Sequence, residues 1–153
     1  MKDTIVIDLD GTLANVEHRR HLVAGKKRDY EAFHASLYAD PVNYWCRAIM
    51  KNFHWANYSV QIVSARPKSV EISTREWLRK NLVVFNGLNL LRPDGDSTPD
   101  QELKRAWLHA YGKERILFVI DDRQKVVDMW RAEGLTCLQC DAWTEKTPAK
   151  LSA

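Results

Sequence analysis

Apolar residues in this chain come in short bursts separated by polar stretches of helical length. Thr4–Leu9 (TIVIDL), Ser59–Ser64 (SVQIVS), Leu88–Leu91, Ile116–Ile120 (ILFVI) and Thr136–Gln139 read as strands, brief apolar runs bounded by turn residues. Between them the apolar spacing changes to three and four. Asp29–Ala39 predicts a helix with Tyr30, Phe33 and Leu37 on one side, and Pro41 opens another whose buried face is Tyr44, Trp45, Ile49 and Phe53. Glu71–Leu82 predicts a third, turning Ile72, Trp77 and Leu78 inward. Thr98, Pro99 and Gln101 have the form of a capping box with proline at the first helical position. Val126–Ala132 predicts a last helix, stopped by Gly134, and Asp141–Ala153 reads as a polar tail.

Strand and helix in alternation predict an α/β fold, a Rossmann-like parallel sheet with helices on both faces and right-handed crossovers. The stretch between the first two strands exceeds what one crossover needs. It leaves room for a small helical cap insert at about residues 15–40, within a single domain covering residues 1–153.

Composition narrows the class. At 45% hydrophobic and 28% charged the chain is globular in character, and no apolar run approaches the ~18 residues that span a bilayer. The start, MKDTIVIDLDGT, carries acids inside its apolar stretch, unlike a signal peptide, so a cytoplasmic protein with no membrane contact is expected. The net charge is +3, and its distribution says more than its size. From His18 to Arg28 there are five cations (Arg19, Arg20, Lys26, Lys27, Arg28) and no acid. Such a run is a solvated loop or a surface for phosphates. Cys46, Cys137 and Cys140 are odd in number, and the C-x-x-C lies in a strand-like TCLQC without the further ligands of a zinc site. They are expected to be core or strand cysteines.

In an open parallel sheet the ligand site lies beyond the carboxyl ends of the strands. Two acidic clusters fall there: Asp8-Leu9-Asp10-Gly11-Thr12 after the first strand, and Asp121-Asp122-Arg123 after ILFVI. A single aspartate at either place reads as a helix or turn cap. Two at each, on neighbouring strands, would repel one another in a desolvated pocket unless a hard cation joined them, and Mg²⁺ takes one or two carboxylates with waters and a phosphate oxygen. Ser64, ending the second strand, offers a hydroxyl and the following N–H to phosphoryl oxygens. Lys104 offers a point charge to a nucleophilic carboxylate and a transferring phosphoryl group.

Asp8-Leu9-Asp10-Gly11-Thr12-Leu13, Ser64, Lys104 and Asp121-Asp122, in that order, resemble the four motifs of the haloacid dehalogenase (HAD) superfamily of phosphotransferases. Ile120–Arg131 (IDDRQKVVDMWR), with Gly134 and Cys137 after it, and Leu91–Asp96 (LRPDGD), leading to Asp100 and Lys104, are similar to the 3′-phosphatase domains of bacteriophage polynucleotide kinases. No phosphate-cradling G-x-x-x-x-G-K-[ST] is present in these residues, so the resemblance implies phosphatase chemistry without a kinase. It implies a HAD-like fold, Asp8 as nucleophile forming an aspartyl phosphate, and Asp10 as general acid and then base. Since Asp10 must first be protonated, a raised pKa in a dry pocket is expected. It further implies Mg²⁺ held by Asp8, the Asp10 backbone carbonyl, Asp121 and Asp122, with Thr12, Ser64 and Lys104 gripping the phosphoryl oxygens. Arg19, Arg66, Arg92, Asp100 and Arg123 match positions that bind substrate or organise the site. Arg19 and Arg66 are the first candidates for substrate, Arg92 and Arg123 the next, and Arg123 can instead pair with Asp100.

The basic run beside the nucleophile loop favours 3′-phosphorylated DNA or RNA ends as substrate. A nucleotidase acting on nucleoside monophosphates is the alternative, with Tyr30, Phe33 and Tyr38 stacking one base. A receiver-like phosphoacceptor domain is a third reading. Asp10 argues against it, because an acid/base two residues from the acceptor would hydrolyse the phosphoaspartate.

Overall fold

The computed structural model describes residues 1–143. Its strands β1 (Thr4–Ile7), β2 (Ser59–Pro67), β3 (Gly87–Arg92), β4 (Ile116–Arg123) and β5 (Cys137–Trp143) form one sheet in the order β3-β2-β1-β4-β5, every pair parallel. β1 is buried along its whole length, as an all-apolar central strand must be when helices cover both faces. Ile5 and Ile7 pack with Val60 and Ile62 against helices α3 (Tyr44–Trp55) and α4 (Glu71–Lys80), whose Cys46, Met50, Trp77 and Leu78 join the same cluster. Val6, Val63 and Val119 face the other way, toward Leu108 of α5 (Asp100–Tyr111) and Val126, Val127 and Trp130 of α6 (Gln124–Ala132). Two short helices, α1 (Glu17–Arg20) and α2 (Tyr30–Ala35), and a 3₁₀ turn at Leu37–Ala39 lie between β1 and α3. They are pinned by Val16, Phe33 and Leu37 in the first core cluster.

The alternation of elements matches the periodicity, and Gly134 ends α6 with φ +84° and its N–H on the Arg131 carbonyl. Several details differ. On α3 the buried stripe is Cys46 and Met50, with Ile49 and Phe53 flanking it, while Tyr44 and Trp45 face outward. Ile49 and Phe53 thus pack on the core as expected, while Cys46 and Met50 take the places expected for Tyr44 and Trp45. On α4, Thr74, Trp77 and Leu78 are inside, and Ile72, out of phase with them, is exposed. The predicted Asp29–Ala39 helix breaks at Ser36, and Tyr30 is half exposed. The capping box before α5 does not form. Thr98 Oγ1 donates to Asp96 Oδ1 (2.8 Å), and Pro99 occupies the N-cap. β4 and β5 run longer than expected, so Asp141–Trp143 belong to a strand, and the remainder of the expected tail lies outside the described residues. Cys137 and Cys140 both lie on β5, and Cys46 is in the core. No helix among the described residues is long and apolar enough to cross a membrane.

Candidate active site

β1 pairs with β4 through Ile7 and Ile120, and the Asp8 N–H continues the ladder onto the Ile120 carbonyl (3.0 Å). That register sets Asp8, just past β1, beside Asp121 and Asp122 in the last residues of β4. Asp8, Asp121 and Asp122 are all buried, and one carboxylate oxygen from each lies within 4.8 Å of the others. Lys104 reaches in from α5, its Nζ donating to Asp8 Oδ1 (2.5 Å) and Asp121 Oδ2 (2.7 Å). Trp130 Nε1 on α6 donates to the same Asp121 oxygen (3.2 Å). The Oδ2 of Asp122 is shielded from water and has no hydrogen-bond partner. An orphaned carboxylate oxygen beside two more carboxylates is unfavourable alone and well suited to a divalent cation.

Burial sets the electrostatics first. It pushes the Asp8 carboxyl up to about 7 against the pull of Lys104, and the neighbouring Asp121 adds to the rise. Asp122 is likewise pushed well above the usual carboxylate range, by burial and by the charges of Asp8 and Asp121. For Lys104 burial acts downward, but Asp121 and Asp8 together raise it above the ordinary lysine value, so it stays charged.

The turn after β1 brings Asp10 to a second group. Gly11 takes φ +88°, and a Cβ there would sit 2.1 Å from Asp122 Oδ2. Only glycine lets the β1 and β4 tips approach this closely. A Gly11→Ala chain is expected to lose about 1–3 kcal/mol of stability, read from its urea unfolding midpoint.

Beyond that turn Arg66, at the end of β2, grips Asp10 with Nε (2.9 Å) and Nη2 (2.6 Å). Arg19 of α1 adds an Nη2 contact at 2.6 Å. Asp10 is therefore not the high-pKa acid expected. Burial pushes its carboxyl up, but Arg66 and then Arg19 hold it well below the usual carboxylate range. The sequence reading missed Asp40, a buried carboxylate that binds Arg19 through both oxygens (2.7 and 2.6 Å) and accepts from His18 Nε2 (2.8 Å). No motif marks it. Its place just before Pro41, beyond a helical stretch, resembles any loop aspartate. Arg19 also lies 3.9 Å from the Phe33 ring centre, so Phe33 supports an arginine inside the fold.

The remaining candidates divide. Ser64 does not end β2, which runs on to Pro67 past a register shift; it is buried, and its Oγ accepts from the Arg66 N–H (3.2 Å). Thr12 is fully buried, with its hydroxyl 3.6 Å from Cys140 Sγ on β5. Arg92 donates to the carbonyls of Ala65, Asp96 and Thr98 (3.0, 2.9 and 2.8 Å) and to Asp100 (2.6 Å). Arg123 pairs with the other oxygen of Asp100. Arg92, Asp100 and Arg123 thus form a brace tying β3, α5 and β4 together. The basic run is likewise not one surface, since Arg19 and Arg20 are 1% exposed while Lys26, Lys27 and Arg28 face solvent.

Residues 2–143 match the family described as the phosphatase domain of polynucleotide kinase PNKP. The chain belongs to that family. A chain of the Pnkp1/Rnl/Hen1 RNA repair complex superposes with TM-score 0.78 at 28% identity, covering 90% of this chain and 42% of that one. A protein of Autographa californica nuclear polyhedrosis virus, named as a polynucleotide kinase/RNA ligase, is 30% identical over 129 residues, 83% of this chain and 17% of its own length. The chain thus spans less than half of these relatives. A HAD-family enzyme of Bacteroides thetaiotaomicron, solved with magnesium and inorganic phosphate, shares the fold at 14% identity (TM-score 0.59), over 94% of this chain and 96% of that one. The PNKP-type phosphatase domain described here accordingly has the α/β architecture of the HAD superfamily.

Proposed function

We propose that this PNKP-type domain removes 3′-phosphates from polynucleotide ends with Mg²⁺, through an aspartyl phosphate on Asp8. The observation that carries the reading is the junction of two groups: three buried carboxylates, two of them bridged by Lys104, and beside them Asp10 clasped by Arg19 and Arg66. Family membership and likeness to a chain of an RNA repair complex support the polynucleotide. Residues 15–40 act as the cap of the domain.

Asp8, Asp121, Asp122 and the Asp10 backbone carbonyl would hold Mg²⁺, which when bound offsets the charge of the phosphoryl group and of the carboxylates. Asp8 attacks phosphorus as the bond to O3′ breaks, and Asp10 gives its proton to that oxygen. Asp10 then takes a proton from water, which attacks phosphorus, frees Asp8 and releases inorganic phosphate. Ser64 and Lys104 hold the phosphoryl oxygens. Arg19 and Arg66 meet the entering phosphate, and in turning toward it they loosen their hold on Asp10, so the carboxyl can be protonated when an acid is needed.

The test is a panel of a 3′-phosphorylated oligonucleotide and nucleoside monophosphates, with and without EDTA. The oligonucleotide should be strongly favoured and EDTA should abolish turnover; equal rates on both substrates overturn the reading. With three exposed cations in the 18–28 run, the logarithmic salt slope of KM should be shallow, with magnitude about 2. Asp10→Asn should lower turnover by about 10²–10⁴-fold and leave acid-stable label on the protein; an unchanged rate removes Asp10 from the chemistry.

Metal binding has a further signature. Asp8 holds its proton up to about 7 in the folded state against an ordinary 3.8, so the folded chain binds the extra proton between those limits and its stability falls as pH rises through them. Mg²⁺ competes with that proton. The rise in Tm on adding Mg²⁺ should therefore be larger at about pH 8 than at about pH 5.5, as differential scanning fluorimetry can show.

A further inference from the structure

A cleft of about 380 Å³ opens between the insert and the segment that follows β2, lined by Tyr30, His34, Tyr38, Pro67, Val70 and Ser73 among others. Its volume falls within the ~300–1,000 Å³ of small-molecule sites. Pro67 directly follows Arg66, whose guanidinium clasps Asp10, so the cleft begins one residue from an arginine that holds the carboxylate assigned to protonate the leaving oxygen. Tyr30 and Tyr38 keep 52% and 48% of their surface exposed, although each phenol has a partner: Arg28 Nη1 at 3.5 Å for Tyr30 and Glu76 Oε2 at 2.5 Å for Tyr38. Half-exposed aromatic rings with partnered hydroxyls offer apolar area to a stacking group. His34, on the same wall, has an Nδ1 shielded from water without a hydrogen-bond partner, a cost that a turn of the ring toward the polar edge of a bound group would relieve. Arg19, which holds Asp10, also donates Nη1 to the carbonyl of Phe33 (3.0 Å), the residue before His34, so this wall adjoins the Asp10 group.

We infer that this cleft receives the base of the 3′-terminal nucleoside, stacked against Tyr30 and Tyr38. The inference rests on the polynucleotide 3′-phosphatase reading. In that reaction the leaving group is the terminal nucleoside itself, attached through the O3′ that Asp10 protonates, so its sugar and base must lie on the Asp10 side of the phosphorus. The cleft borders the two arginines that hold Asp10, since Pro67 follows Arg66 and His34 follows Phe33, whose carbonyl accepts from Arg19. A flat aromatic base between ring faces suits its walls and needs no particular sequence, as end processing requires. The exposed Lys68, next to Pro67, and Arg28, beside Tyr30, are placed for the preceding backbone phosphates. Phe33, considered with these tyrosines at the level of sequence, takes no part, being buried beneath Arg19.

The test compares two oligonucleotides of equal length, one ending in a purine nucleoside 3′-phosphate and one in an abasic 3′-phosphate. Wild type should show a KM about tenfold lower for the base-bearing end, with kcat nearly the same. Tyr30→Ala and Tyr38→Ala should each reduce that preference, and the double variant should erase it. Tyr38→Phe, which keeps the ring and loses the bond to Glu76, should retain it. Equal KM for both ends in wild type, or a preference that survives the double variant, overturns the assignment of the cleft while leaving the phosphatase reading intact. Absence of turnover on both ends, with nucleoside monophosphates still hydrolysed, overturns the polynucleotide reading and the inference with it.

Discussion

Replacing Asp8 with asparagine is expected to lower kcat on a 3′-phosphorylated oligonucleotide by about four to six orders of magnitude and to leave no covalent phosphate on the protein. The amide is isosteric, so the β1 tip keeps its shape, but it cannot form the acyl phosphate. Stability should move the other way. The Asp8 carboxyl is pushed up to about 7 by burial, with Asp121 adding to the rise, so near neutral pH its charge is held at a cost that a neutral side chain avoids. The metal-free variant should therefore unfold at or above the wild-type midpoint at about pH 8. Loss of activity with a clear fall in the metal-free midpoint would mean that Asp8 serves the fold and not the reaction. The contrast with Asp10→Asn, expected to trap the phosphoenzyme, separates nucleophile from acid and base.

Removal of Lys104 should have the largest effect on stability. Its Nζ lies 2.5 Å from Asp8 and 2.7 Å from Asp121, and the side chain is 3% exposed. Lys104→Met keeps the volume and removes the charge that holds two buried carboxylates together. Leaving such charges uncompensated costs about 3–5 kcal/mol, expected in urea unfolding at about pH 8 without metal. The sign of the pH dependence follows from Asp8. Without Lys104 its pKa rises further, so at about pH 5.5 it is protonated, less charge is stranded and the loss shrinks. Mg²⁺ should restore part of the lost stability at the higher pH, since it supplies positive charge to the same carboxylates. Turnover with Mg²⁺ should still fall by about 10²–10³-fold, because Lys104 also holds the phosphoryl group. A loss of stability equal at both pH values would show that packing of the lysine stem, and not its charge, is what matters.

The two acidic clusters were legible because each directly follows an apolar strand, and a parallel sheet brings strand tips to one edge wherever the helices pack. Ser64 was legible for the same reason, although β2 runs on past it to Pro67. Lys104 depended on its helix lying beside both tips, and the order of the motifs carried that information. The state of Asp10 was not legible. Reaction logic predicts a raised pKa, but the carboxylate meets Arg66 and Arg19, 56 and 9 positions away, and their pull outweighs its burial. Asp40 was invisible because its importance comes from a partner 21 positions earlier on α1.

Helix phase shows the same division at the level of packing. Tyr44 and Trp45 are the most apolar-looking residues of their turn, yet α3 buries Cys46 and Met50. Period alone permits either rotation, and the fit of the helix against Val60 and Ile62 selects one. The sequence by itself therefore determined the order of elements, the parallel sheet and the kind of chemistry collected at its edge, since these depend on short-range patterns of burial and on chain order. Only the tertiary structure decided which charge meets which, which aromatic rings stay open beside the site and which arginines brace it. Those outcomes depend on distances between segments far apart along the chain, and local preference carries no record of them.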